Sequence, residues 1–464
     1  MTIHYPHRAA LPSDVFSQRT LELATANLFS WRQAAGAFGE LHLHACWGDS
    51  SAISRRYHGE TIATLHMLLQ GTMRLYDITN RERWRGLAEE IVSEILFLQT
   101  PKGGFFHASG EYEPTYTCEQ SCPIHQGHPV LALLEYLAWP HANPDRREPI
   151  REAVEAHWRW FEGYWWKRGS DERGKALPEA GFCGVTNQDL VIVAMLALYG
   201  KVFGDMTRYE KFGKPTLDML LAPSYYHEAL GLFERSGEGD FVERTAYYHI
   251  VIDTLEMVHV ITKDERLPGV IDNIIVHLFD ALHTGADGLT HAAWGAKLKD
   301  PARVDEWIKY PYTVSSYPLL LEIMDRYLQR HPDDLLRQKY LEFEKTMAAY
   351  VYADGSIPSA LGGDSIFTVV GKTPVLWCYL INRLGAQLKD PAPALLPVLH
   401  RSEGALRWKA DSRMWAVEKD GSRVFAGMKA NPSGISIGPD EPLIGGDLKD
   451  LDIPEIEEIT HNLH

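Results

Sequence analysis

Apolar residues recur at three- and four-residue spacings through most of the first 390 positions, a period that predicts helices rather than strands. The periodic stretches cover 14–35, 51–77, 81–99, 125–139, 146–166, 186–203, 207–221, 242–262, 267–283, 312–329, 333–350 and 371–386. Several open on an N-cap or first-turn acid, as at Ser13-Asp14, and several stop at Gly or Pro. Helices hairpinned through short loops, with no strict sequence period, predict a toroid of about six α-hairpins rather than a solenoid. The longer connections, 100–124, 169–186, 223–241 and 284–311, are rich in Gly, Pro, His and aromatics. In a toroid they gather on one face and shape a cleft. After residue 400 the texture changes. Residues 413–418 and 422–427 flank Lys419-Asp420-Gly421, a hairpin signal, and a Pro/Gly/Asp-rich acidic tail follows. The expected fold class is all-α: an (α/α) toroid over 1–400, with a short β-hairpin and extended tail over 401–464 packed on it.

Charge narrows the partners. A formal net charge of −16 argues against a nucleic-acid or anionic-membrane surface. It leaves room for an anionic substrate, because a local cluster such as Arg55-Arg56 can invert the field inside a cleft. Thirteen Trp and 21 Tyr fill wide helix–helix interfaces, and some of these rings can stack on sugar faces. The N-terminus has no basic and apolar leader, and no apolar run reaches membrane-spanning length. Five scattered cysteines (46, 118, 122, 183, 378) read as reduced thiols. Together these predict a cytoplasmic protein, with self-association into a homo-oligomer left open.

The densest chemistry lies in Asp240-Phe-Val-Glu-Arg-Thr-Ala-Tyr-Tyr-His249, at the mouth of a predicted helix. Tyr247, Val251, Leu255 and Val258 form its expected core stripe, which leaves Tyr248 and His249 facing a cleft. A phenol beside the Arg244 guanidinium can have its pKa lowered enough to exchange protons. A second signal is the Gly-rich run Gly181–Asp189, where Thr186 or Asn187 caps the next helix. Cys118, Cys122, His125 and His128 could hold a structural zinc, but their spacing is uncommon; substrate-facing histidines are preferred, and no metal or cofactor is expected. Trp47, Arg55, Arg56, Tyr57 and His58 are candidates for substrate binding, as are Gln188 and His128. No phosphate-binding glycine loop and no Gly-x-Ser-x-Gly elbow is present.

The order and spacing of these motifs resemble the toroid domain of heparinase II/III-type polysaccharide lyases. In that family an Asn opens one helix and a Glu-x-Ser-x-x-Tyr-His-like motif opens another some 50–60 residues later; here Asn187 precedes Glu243, Tyr248 and His249. Asp354-Gly-Ser-Ile-Pro358 and Gly363-Asp364-Ser365 extend the likeness, which covers roughly residues 180–370. The C-terminal β-sandwich of such lyases has no counterpart in this sequence.

The resemblance implies β-elimination of a uronic-acid glycosidic linkage. Asn187 would neutralise the substrate carboxylate, Tyr248 would serve as acid or base, and Glu243 and Arg244 would orient or tune the phenol. Gln188 stands where relatives carry His, so a second acid–base group is expected from His58, His125, His128 or His291. The expected partner is an acidic oligosaccharide. Two alternatives remain open at this point. One is a toroid glycoside hydrolase releasing a glucuronyl or unsaturated uronyl residue, with paired acids among Asp49, Glu60, Asp189, Glu243 and Asp364. The other is a non-catalytic sugar-binding toroid.

Overall fold

The computed structural model describes residues 15–30, 40–46, 49–58, 62–105, 123–164, 182–235, 242–285, 288–300, 302–309, 312–351, 355, 357, 368–369, 373–392, 406–409, 414–419 and 422–427. Its helices are α1 (Gln18–Ser30), α2 (Ile62–Thr79), α3 (Glu82–Phe97), α4 (Pro123–Ala138), α5 (Arg147–Tyr164), α6 (Thr186–Phe203), α7 (Lys214–Leu220), α8 (Tyr248–Thr262), α9 (Leu267–Asp280), α10 (Tyr317–Arg330), α11 (Asp334–Ala349) and α12 (Thr373–Leu384). A π-helical turn at Tyr209–Gly213 leads into α7.

The even-numbered helices form the inner ring. Helix α2 packs on α4, α4 on α6, α6 on α8, α8 on α10, α10 on α12, and α12 returns to α2. Closure of that ring makes the fold an (α/α) toroid. The odd-numbered helices lie outside, each against an inner neighbour, as α3 does on α2 and α11 on α10. Two glycines permit the tightest inner contacts. A Cβ on Gly127 of α4 would lie 2.4 Å from Val191 Cγ1 of α6, and one on Gly71 of α2 would lie 2.6 Å from the Trp377 ring of α12. Any larger residue would push these helices apart.

Connections differ sharply between the two ends. From inner to outer helix the chain turns within a few residues, as from Thr79 to Glu82 and from Thr262 to Leu267. Asp333 caps the start of α11 by accepting the Leu336 N–H at 2.9 Å, worth about 1 kcal/mol. From outer to inner helix the connections are long and carry the hairpins. They include β1 (Glu40–Cys46) with β2 (Asp49–His58), β3 (Tyr226–His227) with β4 (Leu232–Phe233), β5 (Leu282–Thr284) with β6 (Thr290–Ala292), and β7 (Gly295–Asp300) with β8 (Arg303–Ile308). All these hairpins are antiparallel, and β9 (Thr368–Val369) joins β1 to complete a three-stranded sheet. The N-terminal ends of the inner helices therefore form the elaborated mouth of the toroid.

Two sequence expectations need correction. The helix expected over 51–77 begins only at Ile62; residues 49–58 instead pair with β1. The long loop expected over 284–311 contains β6, β7 and β8. Beyond residue 400, β10 (Leu406–Lys409), β11 (Met414–Lys419) and β12 (Ser422–Gly427) form an antiparallel sheet, whose last two strands are the expected hairpin. Among the described residues, no helix is long and apolar enough to cross a membrane.

Candidate active site

The rim of the mouth is built where α6 and α8 begin. No side chain caps α6, whose N-cap is Val185. Its first amide, Thr186 N–H, is accepted by the Arg235 carbonyl at 2.9 Å, and side chains brace the segments around it. Asp189 reaches back to accept the N–H groups of Phe182, Cys183 and Gly184 at 3.3, 2.8 and 3.3 Å, which fixes the Gly-rich turn. Glu243 accepts the Asn187 N–H at 3.3 Å and the Arg244 N–H at 3.0 Å, and pairs with Arg235 at 2.7 Å. A carboxylate is well placed at the positive end of a helix. Both acids are fully buried; desolvation pushes Asp189 up to about 6 and raises Glu243 against the pull of Arg235. They brace loops, and neither lies open to a sugar.

Tyr248 also differs from its expected position. The buried residues of α8 include Tyr248, Val251, Ile252, Leu255 and Val258, so the core stripe starts one residue later than the sequence suggested. Tyr248 is 1% exposed, and its hydroxyl accepts the Phe233 N–H at 2.9 Å. Burial drives the phenol well above its ordinary pKa, opposite to the shift expected beside Arg244. Arg244 lies instead over the rings of Trp294 and Tyr247, at 4.6 and 5.7 Å from their centroids. Asn187 is 3% exposed, and its side-chain oxygen is buried without a hydrogen-bond partner. Its expected role as helix cap is filled by others. His249 is half-buried, with Nδ1 donating to the Ala246 carbonyl at 2.6 Å. Gln188 is half-buried and accepts from the Cys183 thiol at 3.5 Å.

A second set of polar groups lies deeper. The fifth residue of α2 is His66, and the sixth residues of α4, α8, α10 and α12 are His128, Asp253, Glu322 and Cys378. At about 1.5 Å of rise per residue, all sit some 8 Å below the helix starts, in one layer across the ring. His66 Nδ1 is 3.1 Å from His128 Nδ1, and His66 Nε2 is 3.1 Å from Glu135 Oε2. Gln70 donates to the same carboxylate oxygen at 2.9 Å. These contacts define a carboxylate–imidazole–imidazole chain. When His66 is neutral, its Nε2–H donates to Glu135 and its Nδ1 accepts from His128 Nδ1–H. A proton on the pair can then shift through His66 towards Glu135.

Across the lumen, Arg326 of α10 is clamped by three acids: Asp253 at 2.6 Å, Glu256 at 3.1 Å and Glu322 at 3.7 Å. Asn382 donates to Glu322 at 2.7 Å. Asp253 keeps 39% of its side chain exposed. Desolvation raises its pKa against the pull of Arg326, and the field of Glu135 and His66 reaches it. Glu322 is pushed up to about 7, first by desolvation and also by Asp253, with Arg326 opposing. It is poised to keep a proton near neutrality. Desolvation and Glu322 push the Cys378 thiol up, and its sulfur donates to the Met67 carbonyl at 3.0 Å. That thiol is not a nucleophile.

The other sequence candidates are scattered. Asp49, Arg55, Arg56, Tyr57 and His58 lie on β2, where Arg55 and Arg56 pair across the ladder with Leu43 and His42. Trp47, Glu60, Cys118, Cys122 and Asp364 fall outside the described residues. His125 is half-buried in the first turn of α4. His291 is fully buried, stacked on Tyr312 at 3.7 Å with Nδ1 3.0 Å from the Tyr317 hydroxyl, so it packs the rim. Among the described residues no group of three or more His, Cys, Asp or Glu side chains could hold a metal ion. Sequence reasoning missed His66, Gln70, Glu135, Asp253, Glu322, Arg326 and Asn382. The signal for His66, Asp253 and Glu322 was a polar residue at one depth in several inner helices.

No family model matches the chain, and no curated protein sequence does. Solved structures do match its fold. A D-mannose isomerase superposes with a TM-score of 0.54 at 12% identity, over 80% of this chain and 99% of that one. A sugar epimerase from a ruminal bacterium gives 0.53 at 14% identity, over 80% and 99%. An unsaturated glucuronyl hydrolase specific for heparin gives 0.51 at 11% identity, over 80% and 96%. At these identities the likeness is one of fold.

Proposed function

We propose that the chain is a carbohydrate-active enzyme that cleaves glycosidic bonds of uronic-acid-containing oligosaccharides in the lumen of its toroid. The observation that carries this reading is that Glu322, with its pKa near 7, stands at the same depth of the inner ring as a carboxylate-backed histidine pair. A carboxyl that is still protonated at neutral pH can deliver a proton to a leaving glycosidic oxygen. An imidazole backed by a carboxylate can take a proton from water or from a sugar carbon. In hydrolysis Glu322 is the general acid, and His128, relayed through His66 to Glu135, activates the attacking water. Asp253 and Arg326 set the charge around Glu322. Support for a sugar substrate comes from the fold shared with sugar-processing enzymes, one of them named as a glucuronyl hydrolase.

Elimination is the second reading, favoured by the same histidine pair. His128 would then remove the C5 proton, and Glu322 would again protonate the leaving oxygen. The acid–base pair of that reaction is moved from Asn187 and Tyr248 into the lumen.

Products separate the two. Glucuronate- and alginate-type oligosaccharides are incubated with the protein while reducing ends and absorbance in the unsaturated-uronate band are followed. New reducing ends without absorbance are expected for hydrolysis, whereas rising absorbance assigns elimination. Neither signal across a broad panel, together with retained sugar binding, would overturn the enzymatic reading in favour of a binding toroid.

A further inference from the structure

We infer that Arg244, with Trp294 and Tyr247, forms a rim subsite that binds the carboxylate of an acidic sugar and so selects uronates over neutral sugars. The inference rests on the proposed sugar chemistry for its biological meaning, but its geometry is independent of the lumen. Arg244 precedes α8 at the mouth, held by the Thr245 N–H bonded to the Trp294 carbonyl at 3.0 Å. Its guanidinium lies 4.6 Å from the Trp294 centroid and 5.7 Å from that of Tyr247. Arg235 approaches the same Tyr247 ring at 5.4 Å. The two arginines differ in their partners. Arg235 is paired with Glu243, whereas no carboxylate lies within ion-pair distance of Arg244 among the described residues.

That contrast matters because the adjacent acid is already used. Glu243 is fully buried and satisfied by Arg235 and the amides of Asn187 and Arg244, so it cannot swing out to neutralise Arg244. Among the described residues, Arg244 therefore keeps its positive charge without an acid at ion-pair distance, on a chain that is strongly negative overall. Stacking on Trp294 holds the guanidinium plane while leaving its N–H edge available for a two-pronged contact with a carboxylate. The half-buried Tyr247 and Trp294 rings flank that charge with apolar surface. The first-turn amides of α8 add a further favourable field for an anion.

The test pairs a glucuronide with the glucoside of the same aglycone and compares kcat/KM for the wild type, Arg244→Met and Arg244→Lys. Arg244→Met keeps the aliphatic contact with Trp294 and removes the charge. The glucuronide-to-glucoside ratio is expected to fall about 10- to 100-fold in Arg244→Met, the range set by one lost charged hydrogen-bonding contact. Arg244→Lys should recover part of it, since charge remains without the two-pronged geometry. An unchanged ratio in Arg244→Met would overturn the subsite. A separate arm titrates D-glucuronate and D-glucose against the same proteins calorimetrically. Loss of glucuronate binding in Arg244→Met supports the subsite even if neither glycoside turns over, a result that would count against the proposed reaction alone. Equal glucuronate binding by both proteins overturns the subsite whatever turnover shows. Thermal melts check folding, and Arg244→Gln replaces the Met variant if that chain does not fold.

Discussion

Replacing Tyr248 with Phe separates a catalytic phenol from a structural one. The substitution removes a single oxygen and leaves the ring, so no cavity opens in the α8 core stripe. That oxygen accepts the Phe233 N–H at 2.9 Å, and Phe233 is fully buried on β4. The change leaves a desolvated amide without an acceptor, a loss of about 1–3 kcal/mol. With a urea m-value of about 3 kcal/mol/M, the unfolding midpoint falls by roughly 0.3–1 M. Turnover by the folded variant should stay within about threefold of wild type, because the hydroxyl touches no reacting group. A phenol acting as general acid or base would give the reverse: a loss of about 10²–10⁴ in kcat with an unmoved midpoint. Urea titration followed by tryptophan fluorescence, alongside initial rates on the best substrate, reads both quantities on one preparation. A large kcat loss at constant stability would refute the structural role and restore Tyr248 to the reaction.

Other substitutions probe the lumen and the core. Glu135→Gln removes the charge that backs His66 and is expected to lower kcat by about 10²–10⁴ with modest change in KM; full retained activity would move the base elsewhere. Glu322 is raised from an ordinary 4.5 to about 7. Between those values the folded chain holds a proton that the unfolded chain releases, so this group's contribution to stability declines as pH rises through the window. Urea midpoints measured against pH should lose that slope in Glu322→Gln, and the fall in kcat above about pH 7 should disappear from the small residual rate. His157 is fully buried with both ring nitrogens unpartnered, among Phe105, Trp160 and Phe161, and desolvation lowers it to about 3. The unfolded chain takes up this proton near 6.5 and the folded chain only near 3, so stability is lost as pH falls between them. His157→Phe should resist acid unfolding better than wild type; an equal or earlier acid transition would contradict that assignment.

Helix periodicity made the toroid legible because a twelve-helix ring buries one stripe of each element, and such stripes show in sequence. The helix at 186–203 has its predicted bounds, and α9, α10 and α11 differ from theirs by a few residues. The hairpins of the mouth were harder to read. Residues 49–58 become a strand through pairing with β1, and that pairing is invisible within the segment itself.

The motifs at the helix starts misled for a related physical reason. Acids and aromatics beside a helix N-terminus suit an active-site rim, but they equally suit the task of satisfying four unpaired amides in a buried setting. Glu243 does the second for Asn187, while Asp189 gathers the amides of the turn that precedes α6. With those acids used in this way, the proposed reaction draws on side chains elsewhere in the ring. The toroid offers one other place where six helices can bring side chains together: its axis, a turn and a half below the rim. His66, His128, Asp253 and Glu322 lie on four different inner helices, separated by more than 60 positions at each step. Spacing within one motif cannot reveal such a set. Aligning the inner helices by their starts does, because ring closure gives equal depth to equal positions. Removing Glu135 should therefore impair turnover with little effect on the ring, whereas removing Glu243 should loosen the start of α6 and the fold with it.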